Sequence, residues 1–169
     1  VPPLKATVNT DIQERAVNKM PNKSVVSVVG SENTAVSGAS APKKIPFAVA
    51  EAYKSIRTNL ISLLAKDNKK IIVISSPNAS EGKSTTSINT AISLSQLNKK
   101  VLLIDADAHR PSIHSKLKFD NSFGLMELIQ GVVQPDEVIK QYNSSLDVIT
   151  AGAILPNATE MFSTPAFDE

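Results

Sequence analysis

A lysine held between a glycine and two hydroxyl residues, Gly82-Lys83-Ser84-Thr85, and two aspartates one residue apart, Asp105 and Asp107, have the types and spacing that suit phosphate chemistry. Lys83 offers a compact positive charge. Ser84 offers an oxygen that a hard cation such as Mg2+ accepts, and the amides of Ala79, Ser80, Glu81, Gly82, Lys83, Ser84 and Thr85 can wrap a chain of phosphates. The strict G-x-x-x-x-G-K-[ST] pattern would place a glycine where Pro77 stands, so only its second half is present. The plainer alternative is a strand-turn-helix corner with an exposed lysine. Asp105 and Asp107 could hold a cation directly or through water, and one could take a proton from an attacking hydroxyl. Their plainer alternative is an acidic, solvated turn.

These groups need particular elements to position them. Ile71-Ile72-Val73-Ile74 is a β-branched run that feeds the lysine loop, and Val101-Leu102-Leu103-Ile104 is a second apolar run that delivers the two aspartates at its C-terminal end. Between them, Ile88, Ala91, Ile92 and Leu97 recur at helical spacing, and Asn98 supplies a stop. Strand, loop, helix and strand make a right-handed βαβ unit, with the site at the C-terminal ends of parallel strands. Strands are predicted at 71–75, 101–104 and 146–149, and helices at 47–66, 84–97, 123–130 and 135–141. Three strands alone leave apolar sheet edges uncovered.

Gly82-Lys83-Ser84-Thr85-Thr86, followed by Val101 to Asp107 and by Arg110-Pro111, resembles the bacterial protein-tyrosine kinases of capsule and exopolysaccharide systems. Glu51-x-x-Lys54-x-x-Arg57 is similar to that family's Glu-x-x-Arg-x-x-Arg segment. Leu146-Asp147-Val148-Ile149, leading to Gly152, Pro156-Asn157 and Glu160, is similar to its third strand and exit loop. The resemblance runs from about Ala48 to the C-terminus. It implies an α/β P-loop NTPase fold of the deviant Walker A type, a mostly parallel sheet flanked by helices, here incomplete.

The implied activity is ATP-dependent protein-tyrosine phosphorylation, on itself and on other proteins, that regulates capsular or exopolysaccharide synthesis and export. The implied cofactors are ATP and Mg2+. Carried over by resemblance, Lys83 binds the β- and γ-phosphates and Ser84 coordinates Mg2+. Asp105 lies near the metal and deprotonates the incoming tyrosine, while Asp107 supports metal water or phosphate geometry. Glu51, Lys54 and Arg57 would form a homo-oligomer interface, with Lys54 lacking the planar fork of the usual arginine; their plainer reading is a solvated helix face with i,i+3 charge pairs. The implied partner is a transmembrane polysaccharide co-polymerase or activator, fused upstream or separate, which would place the chain on the cytoplasmic face of the bacterial plasma membrane.

Departures from the family sharpen the expectation. No lysine stands at Asn78 or Ala79, where the partitioning ATPases of the superfamily carry a signature lysine, which argues against that branch. The family has a later strand ending in a further aspartate and a tyrosine-rich tail. This chain stops at Phe167-Asp168-Glu169, so it is expected to be the N-terminal part of the kinase domain in a longer polypeptide. Its tyrosines are Tyr53 and Tyr142.

Composition narrows the classes. There is no cysteine, hence no disulfide framework or thiolate metal site. The net charge is +2, with scattered lysines and 4% aromatics, which gives no reason to invoke nucleic acid. No apolar run approaches the about 18 residues that a membrane span needs.

Residues 1–46 read as a linker or juxtamembrane arm, largely irregular, with a net charge of +3 from Lys5, Arg15, Lys19, Lys23, Lys43 and Lys44 against Asp11, Glu14 and Glu32. That charge suits weak attraction to anionic lipid, or simply a soluble tether. Its Val25-Val26-Ser27-Val28-Val29 run is expected to be transient, to dock loosely, or to add an edge strand. Residues 47–169 are expected to be the N-terminal part of a P-loop tyrosine-kinase domain. Two other functions fit the same residues: a P-loop ATPase switch of the same superfamily that phosphorylates no protein, and a non-catalytic nucleotide-binding or docking module.

Overall fold

The computed structural model describes residues 24–29, 46–66 and 71–155. Pro156, Asn157 and Glu160 of the expected exit loop, and the rest of the expected arm, lie outside them.

Five strands form one sheet in the order β2-β1-β3-β5-β4, with β1 at Ser24–Val29, β2 at Ile71–Ile74, β3 at Val101–Ala106, β4 at Ile139–Asn143 and β5 at Leu146–Ile149. β2, β1, β3 and β5 run parallel, and β4 returns antiparallel along the outer side of β5. The expected α/β, mostly parallel sheet is therefore present.

β3 shows how the sheet is held. It is buried along its length, and its side chains alternate between two apolar clusters. Val101 and Leu103 pack with Ile88, Ala91 and Leu94 of helix α2 (Lys83–Ser95) and with Ile113 of helix α3 (Ile113–Leu117). Leu102 and Ile104 face the other way, onto Val133, Val138 and Ile149. The same alternation carries Asp105 to the α2 side of the sheet, where the lysine loop lies.

Helix α1 (Phe47–Lys66) has the expected span. It lies along α2, where Arg57 Nη1 donates to the Ser93 carbonyl at 2.8 Å and Ser93 Oγ to the Tyr53 carbonyl at 3.3 Å. α2 ends at Ser95, and Asn98, the expected stop, turns the chain out in a left-handed conformation at φ 55°.

Two expectations are corrected. The valine run is neither an edge strand nor a loose dock. It is an interior strand, paired to β2 through Val25–Ile71 and to β3 through Val25–Leu102, so the β2-α2-β3 crossover passes over one intervening strand. A short β-branched run gains ladders on both sides at that place, which its linker-like flanks conceal.

The second correction concerns 135–141. Only Pro135–Val138 is helical (α5), and Ile139 turns to φ −77° and ψ 115° to begin β4. Pro135, Asp136 and Glu137 are good helix starters, but the Asn143 side chain accepts the Ser145 amide at 2.8 Å and closes a tight turn. Pairing of 139–143 with β5 outweighs continued helix. Helix α4, Leu125–Ile129, occupies the middle of the predicted 123–130 helix.

Candidate functional site

The loop from β2 to α2 is built for close approach. Ser80 and Gly82 both take left-handed backbone, at φ 65° and φ 93°, and nothing stands within 4 Å of the place a Cβ on Gly82 would occupy. Ser76 Oγ donates to the Asn78 carbonyl, and Asn78 Nδ2 donates to Glu81 Oε1 at 2.8 Å, which braces the loop from outside. Gly82 caps α2 with no side-chain bond, and the first helical hydrogen bond runs from the Thr86 amide to the Gly82 carbonyl at 2.8 Å. Amides ahead of that bond are the ones a helix start presents to an anion.

Lys83 and Ser84 leave this helix start in the direction of the β3 exit. Lys83 Nζ pairs with Asp107 Oδ2 at 2.8 Å, with little of either side chain exposed. Asp107 Oδ1 also accepts the Arg110 amide at 2.9 Å. Ser84 is buried, and its Oγ accepts a hydrogen bond from Ser112 Oγ at 2.8 Å.

Asp105 is 0% exposed. Its Oδ2 accepts the amides of Ser112 and Ile113 at 3.1 and 3.0 Å, and its Oδ1 accepts that of Asp107 at 3.3 Å. Burial pushes its pKa up to about 6, only partly offset by those three amides, and the charge of Asp107 adds to the rise. The two aspartates thus have different work: Asp107 neutralises the lysine, while Asp105 ties the β3 exit to the start of α3.

The structure brings Lys83, Ser84, Asp105 and Asp107 to one place and puts the amides of residues 79–85 beside them. A polyphosphate fits this donor set, and Ser84 with a neighbouring aspartate fits a hard cation. Glu51, Lys54 and Arg57 stand elsewhere. Arg57 is used on Ser93, ten residues along α2 and so about 15 Å from Lys83. Lys54 and Glu51 form an exposed i,i+3 pair at 2.7 Å. Ser112 was not among the expected residues: it is one of many serines, and only the return of the chain toward Ser84 gives it significance.

Residues 69–166 match the AAA domain family. The chain is 37% identical over 115 residues to tyrosine-protein kinase YwqD of Bacillus subtilis, covering 68% of this chain and 48% of that protein. It is 32% identical over 120 residues to the putative tyrosine-protein kinase CapB of Staphylococcus aureus, covering 70% and 53%. The chain belongs to the AAA-domain family.

Two solved structures share the fold of this chain. The chimerical protein CapA2B2 aligns with a TM-score of 0.65 at 32% identity, over 74% of this chain and 54% of that one. The kinase domain of Escherichia coli tyrosine kinase ETK aligns with a TM-score of 0.63 at 31% identity, over 70% and 50%. The chain spans about half the length of these relatives. Among its described residues, no helix is long and apolar enough to cross a membrane.

Proposed function

We propose that this chain carries the phosphate-binding part of an ATP- and Mg2+-dependent protein-tyrosine kinase that acts in the control of capsular or exopolysaccharide synthesis and export. The observation that carries the reading is the Lys83–Asp107 pair, held at 2.8 Å beside a helix start that no side chain caps. A lysine kept in place by a carboxylate at the mouth of an anion site is positioned to exchange that partner for phosphate.

ATP with Mg2+ supplies the transferable phosphoryl group and part of the charge neutralisation. The amides of residues 79–85 bind and orient the phosphates, Lys83 takes the β- and γ-phosphate charge, and Ser84 Oγ is the cation ligand, with Asp105 nearby. Asp107 holds the ammonium in place until phosphate replaces it. Asp105 is the proton acceptor for a tyrosine hydroxyl. Its pKa of about 6, with the Ser112 and Ile113 amides bonded to it, leaves it ionised at neutral pH. The role of Glu51, Lys54 and Arg57 in self-association, a transmembrane co-polymerase or activator as partner, and a place on the cytoplasmic face of the plasma membrane belong to the same proposal, supported by relatives named as tyrosine-protein kinases, one of them in a cps region.

The test is the fate of the γ-phosphate in the full-length protein, with Mg2+ and labelled ATP. Acid-stable label on tyrosine that disappears in Lys83→Met is the expected result. Lys83-dependent label found only as free phosphate would replace the kinase by an ATPase.

A further inference from the structure

Ser112 is the N-cap residue of α3, yet its hydroxyl makes no capping bond. A serine at that place ordinarily turns its oxygen back to an amide of the first helical turn. The carboxylate of Asp105 reaches across from β3 and accepts the amides of Ser112 and Ile113. The Ser112 hydroxyl, which makes no capping bond, meets Ser84 Oγ at 2.8 Å. One residue thus joins both expected cation-side groups: Ser84 through its side chain and Asp105 through its backbone. The Ser112 carbonyl is held in turn by the Lys116 amide at 3.1 Å and by Ser115 Oγ at 3.0 Å, so the residue is fixed from behind.

We propose that Ser112 is a positioning residue for the Ser84 hydroxyl. A serine oxygen that gives a lone pair to a cation still has a proton to place, and the Ser112 oxygen is the acceptor within reach. The Ser84–Ser112 bond sets the Ser84 rotamer, keeps its free lone pair toward the loop, and reverses its donor sense when a cation arrives. No atom moves beyond a hydroxyl rotation.

This inference rests on the nucleotide site proposed above, and its test separates the two. In the full-length protein, ADP affinity is measured by calorimetry in EDTA and in Mg2+ for wild type, Lys83→Met, Ser112→Ala, Ser112→Thr and Ser115→Ala. Ser112→Ala is expected to bind ADP in EDTA as wild type does and to lose about fivefold of the Mg2+-dependent gain, the worth of one hydrogen bond. Ser112→Thr, which keeps the hydroxyl, restores the gain. Ser115→Ala, which loosens the same turn without touching Ser84, leaves it unchanged.

An unaltered Mg2+ gain in Ser112→Ala overturns the proposal. So does an equal loss with and without Mg2+, which would mark a merely structural serine. If wild type binds no ADP, or binds it equally well after Lys83→Met, the site reading itself falls and this proposal with it. Should Ser112→Ala fail to fold by circular dichroism, Ser112→Cys, which keeps the volume and weakens the hydrogen bond, takes its place with the same expected loss.

Discussion

Lys83 and Asp107 stabilise each other in a place that neither could occupy alone. Removing one partner of a mostly buried pair leaves the other uncompensated, at a cost of about 3 kcal/mol. Asp107→Ala and Lys83→Met are each expected to lower stability by that order in urea titrations, whereas Lys83→Met combined with Asp107→Asn recovers part of the loss. A double-mutant cycle that shows no coupling would mean the pair is not formed in solution.

Asp105 gives a pH signature of opposite sense to that of an ordinary paired carboxylate. Its pKa is raised from 3.8 to about 6, so the folded state holds the proton more tightly than the unfolded chain does. Its contribution to stability is then greatest below the lower value and declines as pH rises through the upper one. The stability difference between wild type and Asp105→Asn should fall across that window and level off above it, as read by thermal unfolding at fixed ionic strength. The identities of Lys83, Ser84, Asp105 and Asp107 are legible in the sequence because motif and strand-end position coincide. The division of labour between the aspartates is not. It depends on which amides α3 brings to Asp105, and no local pattern reports that.

At the scale of elements, α1 is legible because a 20-residue helix offers many periodic contacts, and β2, α2 and β3 are legible because apolar period and punctuation agree. The 139–143 strand is hidden because its pairing partner lies beyond the turn, where helix-starting residues just before it dominate a local reading. The exit of β5 is fixed by another nonlocal device. Glu127 of α4 accepts the Gly124 amide at 2.8 Å and the Ala153 amide at 3.0 Å. Gly152 lies against it at φ 83°, with Glu127 Oε2 1.9 Å from where a Cβ would stand.

Gly152→Ala therefore combines left-handed strain with a clash against a buried carboxylate, and should cost about 3 kcal/mol in chemical denaturation. On the opposite side of the sheet, Arg57→Ala removes the hydrogen bond from α1 to the Ser93 carbonyl. A loss of about 1–3 kcal/mol is expected, with faster amide exchange along α1 than along α2.

For the whole molecule, the sheet explains why the site sits where it does. β2 and β3 carry the loop and the aspartates to the same end, and β1 between them sets their separation at two inter-strand spacings, about 10 Å. α2 and Lys83 bridge that gap from above. The interior position of β1 could not be read from 24–29, since four valines in a linker-like arm fit an edge, an interior slot or no strand equally well. Only pairing with both β2 and β3 decides it.

When nucleotide binds, Lys83 is expected to exchange Asp107 for phosphate. A crystal structure of the full-length protein with Mg2+ and a non-hydrolysable ATP analogue tests this most directly. Phosphate oxygens are expected on the amides of residues 79–85, with Lys83 Nζ within hydrogen-bonding distance of the β- and γ-phosphates and drawn from Asp107. A nucleotide bound elsewhere, or phosphates in the loop with Lys83 still paired only to Asp107, would contradict it.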